Sequence, residues 1–491
     1  MNTHEELGAG LSMPIRAKPY RHQREAFCFV CGLFGLPLGG AGEAPEPKSP
    51  GAALLMEMGT GKSLTSIAII GALAQAGRVQ RVLVVAPLSI LGVWEEEFQK
   101  FADFPYALAV LCGDSTKKRD ILRHMEGTAV LQVVVINYES AWRLEKDLQA
   151  WRSGLIVADE GHKIKTHNIA ASKAMHRMGA KASYRLLLTG TVITNKAIDV
   201  FSQFKFLNPA IYGNSFYAFR NRYFDMVGYG NHTPVLKKSM EGELTEKLHS
   251  ISYRATKAEC LDLPETTDVI RQVELEPEAL RIYRGLVKES YAELADGEVT
   301  ATNILTRLLR LSQLTGGFLG NDETAAVEQV SAAKLSALGD ILDGAVAEGK
   351  KLVIIARFIP EIKAICKLLE KRGLRYSCIT GEVKDRNEQV ARFQKEPEVM
   401  AFVGQIATAG LGITLTAAST MVFYSLDYSM SNFEQAKARI HRVGQRMPCT
   451  YFYLVARGTV DEKVLAALES KADLARTLVD DYRSGRNPFA A

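Results

Sequence analysis

The sequence predicts an α/β chain of two lobes, each built on a parallel sheet, with a mainly helical insertion between them in the sequence. Three observations carry this. At 491 residues the chain exceeds what one hydrophobic core ordinarily supports and has material for at least two. The apolar runs Ala52 to Met56, Leu155 to Ala158 and Arg185 to Leu188 have the length of buried strands and lack the polar alternation of half-exposed ones. A similar run, Lys351 to Ile355, recurs far downstream, after a helix opening at Ser331 to Leu335. The expected division is a tail over 1–18, a first lobe over 19–205, a helical protrusion or linker region over 206–330, a second lobe over 331–470, and a closing brace and tail over 471–491.

The first strand leads into Met58-Gly59-Thr60-Gly61-Lys62-Ser63, and Leu64 to Ala74 continues as an apolar-rich helix. Glycines at a strand-to-helix turn let backbone N–H groups face inward on a triphosphate. Lys62 offers a point charge to the outer phosphates, Ser63 a hydroxyl to magnesium, and the helix amino end its dipole. The longer phosphate-loop pattern has a glycine where this chain has Met56, so the short form alone also suits a plain glycine-rich turn. Asp159 and Glu160 follow the second apolar run and stand at its carboxyl end, where ligand sites of open α/β sheets lie. Asp159 is suited to hold magnesium through water, and Glu160 to orient and deprotonate an attacking water. An isolated acidic pair at a strand end is as readily a solvated cap; the phosphate loop upstream tips the balance toward chemistry. Leu188-Thr189-Gly190-Thr191 ends the third strand with small hydroxyls suited to relaying the state of a γ-phosphate.

Downstream, Gly410 to Leu415 forms a glycine-rich turn able to approach a phosphate closely. Gln435, Arg439 and Arg442 recur at spacings of four and three, which on a helix running on from Ser431 places them near one face and lets them point across a cleft. Between the lobes, the tyrosines and phenylalanines from Phe201 to Phe224 and the leucine-rich Ile304 to Leu314 have helical spacing that favours core packing over a base-stacking platform. Pro37 to Pro50 is a Pro/Gly-rich stretch without periodicity, expected as a surface loop. Seven cysteines in a chain whose first residues lack a secretory pattern read as reduced thiols. Cys28 and Cys31, the one close pair, suit helix packing better than zinc, and His22 nearby changes little. A net charge of +5 permits nucleic-acid binding without arguing for it. No apolar run is long enough to span a bilayer, and the expected place is the cytoplasm.

Taken in order, these residues resemble helicase superfamily two. The blocks are Gln23, Met58 to Ser63, Val84-Val85-Ala86-Pro87-Leu88-Ser89 with Trp94-Glu95-Glu96-Glu97-Phe98, Asp159 to Lys165, and Leu188 to Thr191. More narrowly the chain is similar to the Swi/Snf-type double-stranded DNA translocases, as a compact member of bacterial or phage type. That resemblance rests on the Pro-Leu-Ser and Trp-x-Glu-Glu-Phe block, Ile164-Lys165 after the acidic box, Arg254-Ala255-Thr256-Lys257 followed by Leu263-Pro264, and His441-Arg442-Val443-Gly444-Gln445. Met56, Val192, Arg357 and Thr414 depart from the family's usual Asp, Pro, Gln and Asn; none removes a catalytic group.

The resemblance implies two RecA-like lobes, ATP with Mg2+ as cofactors, and a monomer acting on double-stranded DNA and on proteins bound to it, with no membrane partner. ATP is expected to contact Gln23, Met58, Gly59, Thr60, Gly61, Lys62, Ser63 and Gly412, with the metal held by Ser63 and Asp159. Lys62, Asp159, Glu160, Gln435, Arg439 and Arg442 form the expected catalytic set, the two arginines acting as fingers on the γ-phosphate. Lys165, Thr191 and Thr408 are expected on DNA phosphates. Two other functions fit the same blocks: a strand-separating helicase, which needs a wedge that is not evident in the sequence, and an ATP-gated remover of DNA-bound proteins.

Overall fold

The computed structural model describes residues 12–37, 45–125, 127, 130–190, 197–227, 233–260, 263–295, 301–320, 327–383, 385–406, 413–470, 487 and 489. The chain divides into two compact units, Met1–Asp262 and Leu263–Ala491.

The first unit contains strands β1 (Gly51–Met56), β2 (Arg81–Ala86), β3 (Tyr106–Val110), β4 (Leu131–Asn137), β5 (Leu155–Asp159), β6 (Tyr184–Thr189), β7 (Phe224–Val227), β8 (Thr233–Leu236) and β9 (Ser252–Ala255). Seven of them form one sheet in the order β3-β4-β2-β5-β6-β1-β9, with every neighbouring pair parallel. Parallel strands need crossovers, and helices on both faces of the sheet bury both faces. This is why Gly51–Met56 is buried at all its positions and shows no alternation. Its side chains still alternate in destination. Ala52, Leu54 and Met56 join one core, with Phe27, Val30, Ile67 and Ile70. Ala53 and Leu55 join the other, with Trp151, Met175, Phe201 and Phe204. The helices α1 (Arg21–Leu33) and α2 (Lys62–Gln75), which supply much of the first core, pack on one another.

The second unit contains β10 (Thr266–Val273), β11 (Phe318–Gly320), β12 (Val327–Gln329), β13 (Leu352–Ala356), β14 (Arg375–Ile379), β15 (Val399–Gln405), β16 (Thr420–Phe423) and β17 (Cys449–Ala456). Six form a second parallel sheet in the order β10-β17-β16-β13-β15-β14. Leu352 to Ala356 lies at its centre, fully buried, as the apolar run predicts. Both sheets are thus parallel and helix-covered, and the α/β expectation holds.

Residues 206–330, expected as an intervening helical region, are shared between the units, which meet in sequence at Asp262 and Leu263. The stretch is rich in helix, including Phe216–Tyr223, Glu241–Ser250, Pro277–Ala295 and Ala301–Thr315. It also supplies β9 and β10, which pair with β1 and β17 and extend the two large sheets. An edge strand presents an unpaired backbone ladder, and these two segments cover that of β1 and of β17, becoming end strands themselves. The aromatic residues Phe201, Phe204, Tyr212, Phe219 and Tyr223 are buried in mutual ring contacts, which is the core packing expected of them.

Candidate active site

The turn from β1 into α2 is shaped by two glycines in left-handed backbone, Gly59 at φ 86° and Gly61 at φ 95°. Gly61 caps the amino end of α2 and has a second reason to be glycine: a Cβ there would lie 2.2 Å from Gln23 Nε2. Gln23, on the first turn of α1, donates from Nε2 to the Thr60 carbonyl at 3.0 Å, while its Oε1 accepts from Tyr20 N at 2.9 Å. His22 Nε2 lies 2.7 Å from the same Thr60 carbonyl, and both side chains are buried. His22 therefore matters more than its sequence context implied, because α1 lies directly over the loop. The Lys62 ammonium is folded into the turn, donating to the carbonyls of Met56 at 2.9 Å and Glu57 at 3.4 Å. Met58 is half-buried within the turn, and Ser63 is the second residue of α2.

Asp159 ends β5 and is buried. Its Oδ2 accepts from the indole N–H of Trp94, on helix α3 (Leu91–Phe101), at 2.9 Å, and its Oδ1 accepts from Glu160 N at 2.9 Å. Tyr138 Oη donates to the Asp159 carbonyl at 2.7 Å. Burial and the neighbouring Glu160 charge push the Asp159 carboxyl up to about 6, against the pull of the Lys62 ammonium and the two N–H donors. Glu160 sits in left-handed backbone at φ 51°, and its Oε2 lies 3.2 Å from His162 Nδ1. A non-glycine residue held there costs on the order of 1 kcal/mol or more, so the neighbouring chain must fix the turn. Lys62, Asp159 and Glu160 are thereby brought into one electrostatic environment at the carboxyl end of the first sheet. Lys165, just beyond, has its ammonium 3.8 Å from Asp199 Oδ2.

The Arg254-Ala255-Thr256-Lys257 block also reaches this loop. Glu57 N donates to the Ala255 carbonyl at 2.9 Å, and Lys257 N donates to Glu57 Oε2 at 2.8 Å. Glu57, Tyr138 and Trp94 were thus assigned no role by sequence reasoning. The one signal was the Trp-x-Glu-Glu-Phe block, whose tryptophan turns out to hold the acidic box.

In the second unit the expected helical face is not formed. The helix Met430–Lys437 ends before Arg439, so of the three residues only Gln435 lies on it. Beyond the helix end, Leu415 N donates to the Arg439 carbonyl at 2.9 Å. Gln445 then fixes the following turn, donating to the Ala418 and Ile440 carbonyls at 2.8 and 3.1 Å and accepting from Arg446 N and Met447 N at 2.9 and 3.0 Å. Arg439 is buried, and Arg442 is half-buried with Nη1 3.4 Å from the Ile413 carbonyl. Arg357 lies with its guanidinium carbon 3.8 Å from the Tyr428 ring centroid and Nη2 3.8 Å from Asp427 Oδ1. Thr191, Thr408 and Gly412 lie outside the described residues.

A family model described as the SNF2-related domain matches residues 22–316, more than half of the chain. The chain belongs to the SNF2-related family. A second model, the helicase conserved C-terminal domain, matches residues 333–444. The Swi/Snf-type resemblance read from the sequence blocks is therefore correct. Among SNF2-related relatives, the chain is 26% identical to the chromodomain-helicase-DNA-binding protein 1-like of Danio rerio, over 87% of this chain and 42% of that protein. It is 27% identical to the DNA repair and recombination protein RDH54 of Saccharomyces cerevisiae, over 88% of this chain and 51% of that protein. The chain thus spans about half the length of these curated relatives. A solved structure, the Sulfolobus solfataricus SWI2/SNF2 ATPase core in complex with dsDNA, is 26% identical at a TM-score of 0.46, covering 97% of this chain and 96% of that one. Among the described residues no helix is long and apolar enough to cross a membrane.

Proposed function

We propose that the chain is a DNA-dependent ATPase that moves along or remodels double-stranded DNA. The observation that carries this reading is the placing of Lys62, Asp159 and Glu160 with a glycine-shaped loop at the carboxyl ends of β1 and β5, which flank β6 in one sheet, in a chain of the SNF2-related family. The loop fits a polyphosphate: the glycines open its backbone, and the Lys62 ammonium can exchange two carbonyl partners for phosphate oxygens. The oxygen donors also fit Mg2+, with the Ser63 hydroxyl and the buried Asp159 carboxylate as hard ligands, the latter fixed by Trp94. Bound there, magnesium would neutralise charge on the outer phosphates. Gln23 and His22 fix the Thr60 carbonyl and so the loop's shape, and Glu160 accepts the proton of the attacking water. Arg439, Arg442 and Gln435 are assigned to the charge that develops during transfer, and Lys165, Thr191 and Thr408 to DNA phosphates. The chain is taken to act as a cytoplasmic monomer on DNA and on the proteins bound to it.

The test is the ATPase rate of the full chain without polymer, with single strands, with duplex and with branched DNA. Duplex should stimulate most, and Glu160→Gln should abolish the stimulated rate while still binding ATP. Preference for single strands with unwinding of a blunt duplex would instead indicate a helicase; indifference to every nucleic acid would indicate a protein remodeller.

A further inference from the structure

Two cysteines of the second unit occupy matching rungs of a helix packed on an edge strand. Cys366 lies on the helix Ile359–Lys371, and Cys378 lies on β14, the outermost strand of the sheet. The helix and strand are joined by a short turn at Arg372 to Leu374. Counting back five residues along the helix covers about 7.5 Å, and counting three residues into the strand covers about 10 Å, so the two positions come level. Periodicity then aligns them on facing surfaces. Cys366 and Glu370 are four apart on one helical face, and Cys378 and Tyr376 are two apart on one strand face. The first rung of this ladder is a direct bond, Tyr376 Oη donating to Glu370 Oε1 at 2.7 Å. The second rung pairs Cys366 with Cys378, each the next residue on the same face of its element, one step beyond the Tyr376–Glu370 bond. Both thiols are free and half-buried.

The pair is chemically unequal. The hydrogen bond from Cys378 holds the Cys366 thiol below its ordinary range despite burial. The same bond and burial push Cys378 up. Thiolate character, partial exposure and an adjacent second thiol are the features that make a cysteine sensitive to oxidation and able to form a disulfide reversibly.

We propose that Cys366 and Cys378 form a reversible, peroxide-responsive disulfide that fastens the edge strand β14 to its flanking helix. In the first step the Cys366 sulfur attacks hydrogen peroxide: an S–O bond forms, the O–O bond breaks, and the departing hydroxide leaves as water on taking a proton. Cys366 becomes a sulfenic acid, oxidised by two electrons, and the peroxide is reduced. The Cys378 sulfur then attacks Cys366, an S–S bond forms, the S–O bond breaks, and hydroxide leaves as water with the proton given up by Cys378. Two thiols and one peroxide thus become one disulfide and two waters.

The test is peptide mapping of the reduced full chain after graded hydrogen peroxide, with alkylation of the remaining thiols. Of the seven cysteines, Cys366 and Cys378 should disappear together into one linked peptide that dithiothreitol restores. The exposed Cys112 serves as an internal reference, and Cys366 should react roughly tenfold faster or more. Cys378→Ser should accumulate a sulfenic acid at Cys366, captured by dimedone, and Cys366→Ser should leave Cys378 unreacted over the same interval. Cys366 reacting no faster than Cys112, a linkage to any other cysteine, or no dimedone adduct in Cys378→Ser overturns the proposal. The wild-type mapping decides the matter even if a variant folds poorly.

Discussion

Lys62, proposed above for the outer phosphates, is held by its own loop. Its ammonium donates to two carbonyls of its own turn, at Met56 and Glu57, and these are the partners that phosphate oxygens would replace. Lys62→Ala should lower ATP turnover at least about a hundredfold, the usual loss when one fixed donor to transition-state charge is removed. DNA affinity measured by fluorescence anisotropy should stay within about threefold, because DNA phosphates are assigned to other residues. Wild-type turnover in that variant would remove the loop from the site. A second residue-scale prediction concerns Glu361, fully buried in the second unit, whose Oε2 accepts from Ser425 Oγ at 2.6 Å, Phe358 N at 3.1 Å and Arg357 N at 3.2 Å. Burial pushes its carboxyl up to about 7, against these donors and the Lys334 ammonium. The folded state therefore holds the proton more tightly than the unfolded chain does. The stability from the protonated form is fully present below the ordinary glutamate range and is lost as pH rises toward 7. The loss is on the order of 3 kcal/mol at most. Glu361→Gln keeps a neutral acceptor of the same shape, so urea midpoints at pH 5 and pH 8 should differ less in the variant than in the wild type. Equal pH slopes in the two proteins would show that Glu361 does not titrate in this range.

At the scale of elements, what could be read depended on whether the forces were local. The strands at Ala52 to Met56, Leu155 to Ala158 and Lys351 to Ile355 were legible because burial on both faces leaves an unbroken apolar run. The phosphate turn was legible because positive φ selects glycine at Gly59 and Gly61. The Thr60 carbonyl's bonds to His22 and Gln23 were not legible as contacts, since they join positions almost forty residues apart. Nor was the end of the helix at Lys437: spacings of four and three at Gln435, Arg439 and Arg442 fit a helix, yet the carbonyls of Arg439 and Ile440 bond to Leu415 N and the Gln445 amide, distant in sequence or beyond the helix. That amide uses its donor and acceptor sides at once, and Gln445 is buried. Gln445→Ala should cost about 1–3 kcal/mol, the range for leaving buried polar groups without partners. The loss should show as a lower urea midpoint for the second unit. A midpoint within experimental error of wild type would mean that the turn carrying Arg442 is held by other bonds.

For the whole molecule, the substrate form follows from what can be gripped. Each unit carries a parallel sheet covered by helices, and family membership joins them as one SNF2-related chain. Side chains assigned to DNA, such as Lys165, suit phosphates rather than base edges, so sequence preference should be weak and salt dependence strong. Log affinity for duplex should fall by about 0.9 per phosphate neutralised for each decade of salt, which a titration of duplex-stimulated ATPase measures directly. The proposed movement along the backbone of an intact duplex has a further consequence. A third strand lying in the major groove is an obstacle on the track, whereas the two strands of the duplex are the track itself. The full chain with ATP should therefore release the third strand of a triplex while leaving the underlying duplex paired, and Glu160→Gln should release nothing. Triplex release is read by a labelled third strand on a native gel, with a blunt duplex of the same sequence beside it. Separation of the blunt duplex would place the chain among strand-separating helicases. Strong ATPase stimulation by duplex without third-strand release would show hydrolysis uncoupled from movement along the duplex.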